Sequence, residues 1–235
     1  MYDAILFDLD GTLLPMDMKE FTTGYFQLLA QKAALLGYEP HALIDALWHG
    51  VAAMVANDGA ASNYDRFWER FAAELGDAVY DHIALFDDFY ANEFDAARRF
   101  TQPNPRAPEA VSLARNCAQK VLLATNPLFP RVGVQTRLRW VGLELSSFDD
   151  VTTYETSHYC KPNPAYYREL LARNGADPAR CLMIGNDANE DILAAQTAGL
   201  ETYLVTDCRI DAQSRTYQSR EGSFAELLEW LYQIS

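Results

Sequence analysis

The stretch Ile5-Leu6-Phe7-Asp8-Leu9-Asp10-Gly11-Thr12-Leu13 constrains the fold more than any other part of this chain. A short apolar run that finishes in Asp-x-Asp and breaks at Gly11 reads as a buried strand. It delivers two carboxylates to the carboxyl edge of a sheet, where open α/β folds place their ligands. At ordinary residue usage Asp-x-Asp-Gly-Thr arises by accident in about one chain of this length in several hundred. A strand followed by a plain Asp-Gly turn has the same local pattern. Paired carboxylates in that position point instead to phosphoryl chemistry.

After Leu14 and Pro15 the pattern turns from strand to long helical periods and stays helical until the Pro-rich stretch near residue 105. Lys19 to Leu36 puts Phe21, Tyr25, Leu28, Leu29 and Ala33 on one helical face, and Pro40 to Ala56, Tyr64 to Leu75 and Ala78 to Phe100 supply three more helices. Their aromatics, Trp48, Phe67, Trp68, Phe71, Phe86, Phe89 and Phe94, read as the packed core of a small bundle in preference to a stacking surface for substrate. The segment from Phe100 to Pro108 holds three prolines in nine residues, a semi-rigid return linker. Beyond it strands and helices alternate, which predicts a parallel sheet. Helices are expected over Glu109 to Gln119, Val132 to Val141, Asn189 to Gly199 and from Ser223 to Ile234, and strands over Val121 to Ala124, Asp150 to Tyr154, Cys181 to Ile184 and Glu201 to Val205. Asn163 with Pro164 opens a further helix that ends at Asn174-Gly175, and Ser223-Phe-Ala-Glu226 is a capping box.

The segment Phe7-Asp-Leu-Asp-Gly-Thr-Leu-Leu14 resembles the first motif of the haloacid dehalogenase-like (HAD) superfamily of phosphohydrolases. Three further segments follow in that family's order. Val121 to Ala124 ends in Thr125-Asn126, Lys161 opens Lys-Pro-Asn-Pro, and Cys181 to Ile184 runs into Gly185-Asn-Asp-Ala-Asn-Glu-Asp191. The resemblance spans the whole chain. It implies an α/β fold: a Rossmann-like core with a parallel sheet flanked by helices, built from residues 1–15 and 105–235, and an inserted helical cap domain at 16–104. It also implies a Mg²⁺-dependent phosphatase acting on a small phosphorylated metabolite through an aspartyl phosphate.

On that resemblance Asp8 is the nucleophile and a Mg²⁺ ligand. Its carboxylate is ionised at neutral pH and needs no base to activate it. Asp10 is the general acid and base, helped by crowding against Asp8, which favours protonation of one of the pair; its backbone carbonyl is a further metal ligand. An Asp at this position separates the chain from the dehalogenases and phosphonatases, which lack one. Thr125, Asn126 and adjacent backbone amides bind the phosphoryl oxygens, and Lys161 offsets charge on Asp8 and on the transferring group. The acidic cluster departs from the commonest pattern by having Asn186 at its first position. Asp187 is the first choice for the metal, Asn186 the second, and Asp191 a partner acting through water or through its neighbours. Two alternatives stay open: a phosphomutase using the same acyl phosphate, and a non-catalytic member that only binds. The turn from Asn57 to Asn63 and the segment from Met16 to Lys19 are candidate specificity determinants by the same analogy.

A formal net charge of −14 argues against nucleic acid or an anionic membrane as a partner and leaves a small phosphate ester beside a metal ion. Cys117, Cys160, Cys181 and Cys208 show no CxxC pairing and read as inert buried thiols. The chain enters its first strand at once, without room for a cleavable signal, and no apolar run approaches the ~20 residues of a membrane span, so a cytoplasmic protein is expected. The oligomeric state is left open.

Overall fold

The strands β1 (Tyr2–Phe7), β2 (Ala118–Leu123), β3 (Asp150–Val151), β4 (Cys181–Gly185), β5 (Glu201–Val205) and β6 (Arg220–Gly222) form one sheet in the computed structural model, which describes residues 1–212 and 216–235. They pair in the order β3-β2-β1-β4-β5-β6, all in parallel. Strand β1 is central, with Phe7 level with Leu123 on one side and Ile184 on the other. Its apolar run is continuous because both faces of the sheet are covered. Ile5 and Phe7 pack toward α5 (Ala107–Cys117), α6 (Arg131–Trp140) and α9 (Phe224–Ile234), whereas Ala4 and Leu6 pack toward α7 (Pro164–Asn174) and α8 (Ala194–Ala198). That division follows from the period of two along a strand.

Local signals set several boundaries as expected. The Asn163 side chain accepts a hydrogen bond from Ala165 N–H to cap α7, and the Ser223–Glu226 capping box opens α9. Between β1 and α5 stand α1 (Met18–Ala34), α2 (Pro40–Val55), α3 (Asn63–Leu75) and α4 (Ile83–Ala91). Entry and exit of this insertion lie side by side: Met16 bridges Thr101, and Gln102 N–H donates to Pro15 O at 2.8 Å.

Three elements differ from the sequence expectation. The helix expected over Ala78 to Phe100 is α4 flanked by tighter 3₁₀ stretches at Asp77–His82 and Glu93–Phe100. It breaks at Asn92, whose side-chain amide turns back to the Asp88 carbonyl and carboxylate, the local competition that makes Asn a poor interior helix residue. Strand β3 stops at Val151, well short of Tyr154. Its neighbour β2 ends at Leu123, and the Tyr154 amide is drawn off to the Phe129 carbonyl at 3.1 Å. The helix expected from Asn189 begins instead as a wide π-type turn at Ala188–Leu193 before α8. Strand β6 is an addition, too short for a periodic signal. Among the described residues no helix is long and apolar enough to cross a membrane.

Candidate active site

Asp8 follows β1 directly, and its amide donates to Ile184 O at 2.9 Å, so the carboxylate stands at the carboxyl edge between the two central strands. The chain then turns at Gly11, where φ is +90° and the space a Cβ would need is filled by the Asn186 side chain. Only glycine meets both conditions without strain. Lys161 reaches the same edge from the loop before α7. Its ammonium group donates to Asp8 Oδ1 at 2.8 Å and to Asp191 Oδ1 at 2.6 Å, and its side chain is fully buried. Asp191 Oδ2 in turn accepts the backbone amides of Asn186 and Asp187, each at 3.0 Å. Gly185 is required beside it, since a Cβ there would collide with the Asp191 carboxylate.

These contacts oppose one another electrostatically. Burial pushes the Asp8 carboxyl up to about 7, against the pull of Lys161, with Asp191 and Asp10 pushing it further. Burial alone would lower the Lys161 ammonium, but attraction by Asp191 and Asp8 more than reverses this and keeps it charged. Desolvation of two or three charges is offset here by mutual pairing and by hydrogen bonds to the remaining oxygens.

Asn126 joins the cluster through the backbone of Lys161, accepting its N–H at 3.2 Å, and donates to Glu190 Oε2 at 3.0 Å. Thr125 is buried, and its carbonyl accepts hydroxyls from Thr152 and Tyr166 at 2.7 and 2.9 Å, which fixes the turn that presents it. Asn186 points at Thr12 and the Cys208 carbonyl, tying three loops together. Asp187 Oδ1 caps the wide turn by accepting from Asn189 and Glu190 amides, and burial raises its carboxyl above the usual range. Asp10 forms an ion pair with Arg137. His158 pairs with Glu169 at 2.6 Å.

Two residues of this site carry no sequence assignment. Arg137 sits on α6 with a fully buried side chain whose guanidinium stacks 3.9 Å from the Phe129 ring centroid, and nothing in a helical pattern separates it from an ordinary surface arginine. Glu190 is half-buried and accepts from Asn126, and desolvation pushes it up to about 8 despite Lys161. Its signal was the acidic run itself.

Among the described residues no three Asp, Glu, His or Cys side chains gather closely enough to hold a metal ion unaided. Both Asp191 oxygens are already engaged. Asp10 Oδ1, by contrast, is buried without a hydrogen-bond partner, and Asp8 offers its second oxygen close by. This is a hard-oxygen set short of ligands, which fits Mg²⁺, an ion that commonly keeps several waters and takes one or two carboxylates.

A doubly wound parallel sheet with an acidic cluster and a buried lysine at its carboxyl edge defines an α/β enzyme of the kind that binds small anions beyond its strand ends. Residues 2–199 match the haloacid dehalogenase-like hydrolases, and the chain belongs to that family. The glyceraldehyde 3-phosphate phosphatase of Methanothermobacter thermautotrophicus is 28% identical over 243 aligned positions, covering 100% of this chain and 98% of that protein. A phosphoglycolate phosphatase of Neisseria gonorrhoeae is 24% identical over 205 positions, 86% of this chain and 79% of its own. The fold is similar to that of a 2-haloacid dehalogenase from Pseudomonas syringae, with a TM-score of 0.64 at 19% identity over 99% of both chains.

Proposed function

We propose that this enzyme hydrolyses a small phosphate monoester with Mg²⁺ through a phosphoenzyme on Asp8, residues 16–104 acting as a cap over a catalytic core of 1–15 and 105–235. The observation that carries the reading is the buried Lys161 held between Asp8 and Asp191, because a buried cation beside a buried carboxylate at the sheet's carboxyl edge meets the needs of a dianionic phosphoryl group. Asp8 attacks phosphorus in line, the ester bond breaks, and the departing oxygen leaves with the proton carried by Asp10. Water then attacks the phosphorus of the acyl phosphate, Asp10 takes its proton, and phosphate is released with Asp8 restored. Lys161, Thr125 and Asn126 bind the phosphoryl oxygens. Arg137 acts through Asp10, fixing the position of its carboxylate. Asp8, Asp187 and the backbone carbonyl of Asp10 would hold a Mg²⁺ ion, which would supply charge neutralisation and orientation of the phosphoryl group, while Asn186 and Asp191 hold the loop behind it. Relatives named for glyceraldehyde 3-phosphate and phosphoglycolate support a small ester as substrate. Four unpaired cysteines support a reducing, cytoplasmic setting.

The test is phosphate release from a panel of small esters by the wild type and by Asp8→Asn. Turnover lost in the mutant with its fold retained, and stopped reversibly by chelation, is the expected outcome. Substantial release by Asp8→Asn would remove the phosphoenzyme, and unchanged rates in excess chelator would remove the metal.

A further inference from the structure

The aromatic residues of the insertion form a packed core, Trp68 meeting Phe71 edge to face with 5.5 Å between ring centroids, and on one side they also wall a hollow. Trp48, Phe67, Trp68, Phe71 and Phe86 line a cavity of about 210 Å³ that is completed from the core side by Leu128, Phe129, Pro130 and Tyr154. Phe89 and Phe94, in contrast, are buried core residues outside its lining. An apolar cavity of about 150 Å³ is enough to take up benzene, so this one admits a ring with a short arm. Its polar groups are few and mostly committed. The Tyr25 and Tyr90 hydroxyls bond to each other, and the Trp68 indole donates to the Tyr154 hydroxyl at 3.4 Å. Asp87 is the one carboxylate in the lining.

Position gives the cavity its meaning. Phe129 forms part of its wall, the Arg137 guanidinium covers that ring, and Arg137 pairs with Asp10, the proposed proton donor to the leaving oxygen. Trp48 and Met18, 49% and 37% exposed, stand among the lining residues and open it to solvent. A polyol or carboxylate seated among these rings would give up its water without replacement, at a cost that selects against it, whereas an apolar body gains.

We propose that the substrate is the phosphate monoester of an alcohol carrying an apolar body about the size of a phenyl ring, and that this body lodges in the cavity beside Phe129. The assignment rests on the phosphatase reading above. Hydrolysis breaks the phosphorus–ester oxygen bond, the alcohol leaves protonated, and phosphate carries away the oxygen of water. Such a substrate differs from glyceraldehyde 3-phosphate and phosphoglycolate, the small polar esters for which two relatives are named.

The test compares kcat/KM for 2-phenylethyl phosphate and ethyl phosphate, which share an alkoxide leaving group and differ by the ring. The wild type should prefer the former by about tenfold to a hundredfold, the gain from burying one aromatic side group. Val51 of α2 also lines the cavity, and Val51→Leu and Val51→Phe, graded fillings of it, should shrink that ratio stepwise, the milder variant serving if the larger one fails to fold. Hydrolysis of both esters with a wild-type ratio near unity overturns the cavity assignment and leaves the phosphatase reading standing. If neither ester is turned over, calorimetric binding of 2-phenylethylphosphonate and ethylphosphonate decides. Tighter binding of the first by about tenfold supports the cavity and equal binding overturns it, while the phosphatase reading is decided separately by the ester panel.

Discussion

Replacing Lys161 with Met removes a fully buried ammonium group from between two buried carboxylates and keeps the volume nearly constant. Asp8 and Asp191 then face one another without their shared cation. Breaking a buried ion pair from one side costs about 3–5 kcal/mol, and each kcal/mol moves the melting temperature of a chain of this size by about 2–4 °C, so Tm should fall by about 6–20 °C. Calorimetry on metal-free protein measures this apart from any activity. The double variant Lys161→Met with Asp191→Asn removes one of the two stranded charges, so its loss should be smaller than the sum of the single losses by about 1 kcal/mol or more. A Lys161→Met Tm within about 2 °C of wild type, or strict additivity in the cycle, would refute the argument that these groups stabilise one another.

Other consequences are independent of that cluster's charge. Gly185→Ala should displace the Asp191 carboxylate by direct collision, lowering stability by about 1–3 kcal/mol and reducing phosphate release; a neutral effect on both would count against the packing described. The Tyr2 phenol is pushed from 10.0 to about 12 by burial and by its hydrogen bond to Glu201. The fold therefore favours its protonated form, so this contribution is whole below pH 10 and lost as pH rises toward 12, and Tyr2→Phe should flatten the alkaline decline in denaturation midpoint. Cys117, Cys160 and Cys181 are buried while Cys208 is partly accessible, so a thiol reagent should label Cys208 first and the others only on unfolding.

Much of the architecture was readable because it is written in local or periodic terms. The run from Ile5 to Phe7, the Asn163-Pro164 start of α7, the Ser223–Glu226 box and the alternation of strands with helices each follow from neighbours a few residues apart. Order and spacing alone sufficed to bring Asp8, Lys161 and Asp191 to one edge, since parallel strands with crossover helices deliver successive carboxyl ends to the same side. Where pairing with a distant segment decides the outcome, the pattern misleads: β3 ends early because β2 does, and Asn92 breaks what periodicity would continue.

The chain's own residue order thus determined the family, the sheet and the roll of charged groups at its edge. Which group faces which was decided only in three dimensions. Arg137 finds Asp10 across 127 residues and Asn126 finds Glu190 across 64, contacts with no local signature. The bundle aromatics are equally silent in sequence, because a helical face that fills a core and one that lines a hollow have the same period. That rings in mutual contact also border about 210 Å³ of open space depends on how four helices and the loop at Leu128–Pro130 converge, and tertiary packing alone settles that.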